Sequence, residues 1–159
     1  MNNLDTMDQC LRKTPLFSWL STESIAWLAH YTEELSFNQG DTILELGSLS
    51  DSLYIIAQGE VTFICGTSQD TDEQQATSLD EMDIFGELSL LEIKPRTSLV
   101  RAALPTTLYR LKAETIAQLA QKNQDQHAIL ITNLSRFLAR KIRTLNSKKS
   151  ILNQATSKE

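Results

Sequence analysis

The residues best suited to chemistry lie in one segment, FGELSLLEIKPRTS at positions 85–98. Gly86 suits a tight turn, and the residues from Glu87 to Leu91 suffice for one helical turn whose free amides point at an anion. Nine positions after Glu87 comes Arg96, held behind the chain-fixing Pro95 and followed by two hydroxyl residues, Thr97 and Ser98. Helix-start amides opposed by a single guanidinium make a phosphate site. A carboxylate beside a phosphate repels it, so Glu87 is better suited to accept a hydrogen bond from a neighbouring sugar hydroxyl. Together these roles describe a compact ribose phosphate. The plainer alternative is an internal ion pair, in which the Gly-Glu turn and the later arginine merely tie a loop to a strand.

No other arrangement supports a comparable reading. His30 and His127 are far apart and fall in helical contexts, so neither a metal site nor a histidine base is expected. Cys10 and Cys65 are 55 positions apart and form no ligand pair; they read as reduced thiols of a cytoplasmic protein. The chain has no Gly-rich loop followed by Lys-Ser/Thr and no serine in a nucleophile elbow. The expectation is a binding protein with no catalytic residues and no metal. Trp19 and Trp27 read as core residues rather than base-stacking platforms.

Charge and hydropathy narrow the setting. The 159 residues carry a net charge of −5, which opposes nonspecific nucleic-acid binding. That total hides an asymmetry: residues 1–125 balance at −11 and residues 126–159 at +6. The basic end reads as a solvated helix face, with a polyanion contact as the alternative. The longest uncharged run is ten residues, far short of a membrane span, and the N-terminus lacks the apolar region of a signal peptide.

Several elements must position the segment. Ser21 is a candidate N-cap for a helix bearing Ile25, Leu28 and Ala29, and Pro15 suits a turn between two short helices. From Tyr31 to Leu111, short β-rich runs (42–46, 53–57, 61–65, 98–102 and 107–111) alternate with turn signals. Seven or eight such strands predict a sandwich or jelly roll. Residues 67–77 read as an exposed hairpin loop. A short helix is predicted over 113–121, a break at 123–125, and a long amphipathic helix from Gln126 through at least Asn146. One domain, 1–159, is therefore expected: N-terminal helices in 1–30, a β-roll in 31–111, C-terminal helices and tail in 112–159. Ile131, Leu138, Leu145 and Leu152 recur every seven residues, beside a second row of Leu134, Lys141 and Lys148. The stripe suits either a weak dimer seam or packing back on the β-roll.

Read as FGELSLLEIKPRTSLVRA, the segment resembles the phosphate-binding cassette of the cyclic nucleotide-binding domain family, found in protein kinase A regulatory subunits, nucleotide-gated channels and catabolite activators. The resemblance extends over residues 16–146 and includes NQGDTILELG and DSLYIIAQGEV. It implies a mainly β fold, a double-stranded β-helix barrel with N-terminal helices and a long C-terminal helix. It also implies roles: Glu87 on the ribose 2′-hydroxyl and Arg96 on the exocyclic phosphate oxygens. Phe85, Gly86, Leu88 and Ser89 would form the cradle, with Thr97 and Ser98 beside the phosphate. Thr77 would approach the base, as would Leu145 and Asn146 from the C-terminal helix. Two positions depart from the pattern: Met82 stands where glycine is usual and Ser98 where alanine is usual. Family members that bind no nucleotide usually lack the arginine or the glutamate, and both are present here.

The resemblance implies cAMP or cGMP as ligand, cAMP favoured, and a signal leaving through the C-terminal helix to an effector protein or a second copy. The chain ends about where a catabolite activator's DNA-binding domain begins, so direct DNA contact is not expected. The competing expectation is a protein-interaction module with a degenerate pocket.

Overall fold

The computed structural model describes residues 3–49, 51–65, 77–92 and 94–156. Two helices open the chain, α1 (Asn3–Lys13) and α2 (Thr22–His30), separated by a 3-10 turn at Pro15–Phe17. Ser21 caps α2 as expected, its Oγ accepting from the Ser24 amide at 3.1 Å. Eight strands follow among the described residues: β1 (Glu33–Phe37), β2 (Thr42–Leu44), β3 (Ser52–Gln58), β4 (Val61–Cys65), β5 (Thr77–Leu79), β6 (Ile84–Phe85), β7 (Ser98–Ala102) and β8 (Thr106–Lys112). They pair antiparallel into two four-stranded sheets, ordered β1-β8-β3-β6 and β2-β7-β4-β5. The fold is a mainly β jelly roll with flanking helices. Except for Thr77, the hairpin loop expected at 67–77 lies outside the described residues.

The first sheet divides two cores. Successive strand residues point to opposite faces, and in β3 both faces are covered. Leu53 and Ile55 pack with α1, α2 and the C-terminal helices. Tyr54 and Ile56 face the interior of the roll with Val61, Phe85 and Val100. In β8, Tyr109 and Leu111 join the helical core while Leu108 joins the roll. β3 therefore reads as a continuous apolar run rather than an alternating one.

The C-terminal helices are α3 (Ala113–Lys122) and α4 (Gln124–Thr156). Asn123 makes the expected break a cap: its Oδ1 accepts from the Gln126 amide at 3.2 Å. Buried Asn133 ties α4 to the N-terminal turn, its Nδ2 donating to the carbonyls of Leu16 (3.1 Å) and Ser18 (2.6 Å). Ile131 and Leu138 of the seven-residue stripe pack onto the helical core, whereas Leu145 is exposed. The stripe is thus used against the protein's own body in its first half.

Trp19 corrects the sequence reading. It is 84% exposed and left-handed at φ 70°, because the turn sends its neighbours Phe17 and Leu20 into the core instead. Met82 also takes a positive φ, 69°, at the third position of a turn closed by the Asp83 amide on the Asp80 carbonyl. A turn of that kind favours glycine there, which gives the departure noted at this position a backbone consequence.

Candidate functional site

A cavity of about 280 Å³ opens between the two halves of the segment singled out in the sequence. Its apolar floor is Leu44, Phe63, Phe85 and Val100. Tyr54 stacks on Phe85 at 5.0 Å with an 11° interplanar angle, and Phe63 meets Phe85 edge-on at 5.5 Å. Register explains the stack: Tyr54 of β3 pairs directly with Phe85 of β6.

One wall comes from the end of β6 and the 3-10 turn Glu87–Leu90. Gly86 joins them at φ 78°, and a side chain there would meet the Ser52 carbonyl at 2.6 Å and Arg96 Nη1 at 3.0 Å. Only glycine meets both demands. The opposite wall is residues 94–98, leading into β7. Its backbone is clipped by the loop before β3: the Arg96 amide donates to the Ser48 carbonyl at 2.8 Å and the Gly47 amide to the Arg96 carbonyl at 2.9 Å.

Arg96 has no carboxylate partner among the described residues. Its Nη2 donates to the Ser52 carbonyl at 3.3 Å, and the guanidinium lies 5.7 Å from the Tyr54 ring centroid. Its Nε is buried without a hydrogen-bond partner. Burial pushes the guanidinium pKa below its usual value. A cation so held gains when an anion arrives.

Glu87 is paired elsewhere. Its side chain is 5% exposed, and Oε1 accepts from Lys141 Nζ at 2.7 Å. The internal glutamate–arginine pair offered as the plain alternative is therefore not formed. Lys141 reaches the cavity from α4 and passes 5.8 Å from the Phe137 ring centroid. Two carboxylates, Glu87 and Glu92, and three cations, Lys94, Arg96 and Lys141, line the cavity, a balance of +1 in an acidic chain.

Of the residues singled out in the sequence, Phe85, Gly86, Glu87, Leu88, Ser89, Arg96, Thr97 and Ser98 share this cavity. Thr77, Leu145 and Asn146 do not line it. Thr77 is exposed on β5, paired with Phe63, and Leu145 and Asn146 are exposed on α4 beyond Lys141. Sequence reasoning missed Lys141 as a site residue, although it was visible as the first lysine of the row Leu134, Lys141 and Lys148. No group of three or more metal-ligating side chains gathers among the described residues.

The cavity of this jelly roll joins a glycine turn, a buried glutamate and an arginine without a salt bridge among the described residues, the groups that a small anion bearing hydroxyls needs. A family model, the cyclic nucleotide-binding domain, matches residues 34–123, and the chain belongs to that family. It is 29% identical over 150 residues to a CRP-like cAMP-activated global transcriptional regulator of Mycobacterium tuberculosis, covering 89% of this chain and 61% of the relative. It is 32% identical over 102 residues to a cAMP-dependent protein kinase regulatory subunit of Emericella nidulans, covering 64% of this chain and 24% of the relative. The chain thus spans about three fifths, or less, of the length of these curated relatives. Among solved structures, the Thermus thermophilus catabolite activator protein aligns at a TM-score of 0.71 and 27% identity, over 87% of this chain and 63% of that one. A cyclic nucleotide-binding domain from Methylobacillus flagellatus shares the fold at a TM-score of 0.76 and 22% identity, over 91% and 81%. No described helix is long and apolar enough to cross a membrane.

Proposed function

We propose that this chain is a non-enzymatic sensor module that binds a cyclic nucleotide, cAMP in preference to cGMP, in the cavity between residues 85 and 98. Arg96 grips the phosphate, Glu87 accepts from the ribose 2′-hydroxyl, and the turn at 86–89 with Thr97 and Ser98 completes the cradle. The observation that carries the reading is Arg96: a guanidinium with a buried, unpartnered Nε on the wall of a cavity, with no salt bridge to a carboxylate among the described residues. The preference for cAMP rests on the relatives named above for cAMP. The signal leaves through α4, whose exposed Ile142 and Leu145 suit contact with an effector or a second copy. A cytoplasmic setting fits this role.

Calorimetry with cAMP and cGMP tests the proposal. A ligand of about 22 heavy atoms at ~0.3–0.4 kcal/mol each binds with about −7 to −9 kcal/mol, in the micromolar range. No heat and no melting shift at millimolar nucleotide would sink it. The second reading, an interaction module with a vestigial pocket, is favoured by one observation: a protein side chain, Lys141, already occupies one oxygen of Glu87. The two readings differ in what Lys141 does.

A further inference from the structure

Lys141 stands where α4 leaves the body of the protein, and its side chain is 47% exposed. One turn earlier Phe137 and Leu138 pack on the helical core, and one turn before them Leu134 is buried. Beyond Leu138 the helix residues 139–147 are all exposed, so a polar side chain left in solvent is the expected occupant. The Lys141 ammonium instead meets a carboxylate of 5% exposure. A carboxylate withdrawn from water needs a cation or several donors, and among the described residues Lys141 is the only cation bonded to Glu87. Glu87 also faces the space in which an anion would sit, and an uncompensated carboxylate there opposes the ligand. Without Lys141 the cavity lining falls from +1 to neutral.

We propose that Lys141 is a positioning residue of the binding site: it compensates the charge of Glu87 through Oε1, leaving Oε2 to accept from a ligand hydroxyl while Arg96 meets the anion. The inference rests on the cyclic nucleotide reading above and names the element that completes the site. It makes α4 part of the pocket through a side chain 54 positions from the carboxylate it serves.

Two measurements test it. Without nucleotide, amide exchange over residues 138–145 should quicken to a similar extent in Lys141→Met and Glu87→Gln; unchanged exchange in both overturns the link. In calorimetry with cAMP, Lys141→Met should weaken binding about tenfold, and Lys141→Arg should restore most of that loss. In a Glu87→Gln background, where no charge remains to compensate, Lys141→Met should change affinity less than threefold. Tighter binding by Lys141→Met, or an equal loss in both backgrounds, overturns the proposal while leaving nucleotide binding intact. Failure of the unmodified protein to bind cAMP or cGMP overturns both readings, even where the exchange result shows the pair to exist.

Discussion

Gly86→Ala isolates the geometry on which the cradle depends. Two penalties combine. The left-handed φ of 78° costs an alanine about 1–2 kcal/mol. The new methyl would also lie 2.6 Å from the Ser52 carbonyl, 3.0 Å from Arg96 Nη1 and 3.3 Å from the Tyr54 ring. The first of these is backbone of a strand paired on both sides, so it cannot step aside, and overpacking of this kind costs about 1–3 kcal/mol. A loss of about 3 kcal/mol is expected, or ~6–12 °C in Tm for a chain of this size. Gly40→Ala is the matched control: its φ is 88°, but nothing lies within 4 Å of the added methyl, so only the backbone penalty of about 1 kcal/mol applies. Urea unfolding of both variants, with m-values compared, measures the difference directly. Equal losses within about 0.5 kcal/mol would refute the close approach at Gly86 and the fixed placement of Arg96 that follows from it.

For ligand affinity, Arg96→Ala should weaken cyclic nucleotide binding by ~2–4 kcal/mol and Glu87→Ala by ~1–3, since the first strands a desolvated phosphate; calorimetry that finds neither loss would show these residues to be wrongly assigned. Met82 should tolerate glycine with less than about 1 kcal/mol change, strain relief offsetting lost packing, whereas the β-branched Met82→Val should lose ~2 kcal/mol in urea unfolding. Stability should also fall as pH drops through the acidic range. The hydrogen bond from Arg110, the main cause, holds the Glu33 pKa below its ordinary value, with Lys112 assisting. A depressed folded-state pKa gives a contribution present above the unfolded pKa of about 4.3 and lost below it. Glu33→Gln should flatten that part of the pH–stability curve; an unchanged slope would count against the pair.

What the sequence disclosed depended on how local each feature is. The cradle was legible because Gly86, Glu87 and Arg96 lie within eleven residues and their spacing alone poses the chemistry. The jelly roll was legible from strand-length runs and turns, and the division between α3 and α4 from a break expected at 123–125, of which only Asn123 lies outside a helix. Lys141 was not, because its partner is 54 positions away and only the docking of α4 against α3 and the N-terminal turn brings them together. Leu145 and Asn146, expected at the base, lie about one helical turn beyond Lys141 and do not line the cavity. Trp19 shows the limit of residue type as a guide: an indole belongs in a core, but the left-handed residue after Phe17 and Ser18 turns it outward. The covering of β3 on both faces likewise follows from where the helices dock, which period-2 patterning does not reveal.

The cassette has one further consequence, which lies in where its two ends attach. It leaves the first sheet at Phe85 of β6 and enters the second at Ser98 of β7. A molecule held as proposed, by residues 86–89 at one end and 96–98 at the other, would act as a removable rivet through the sandwich. Its binding free energy adds to the cohesion between the sheets, by RT ln(1 + [L]/Kd) when only the folded chain binds. Mechanical or thermal separation of β6 from β7 would then read out ligand concentration, whichever base the ligand carries.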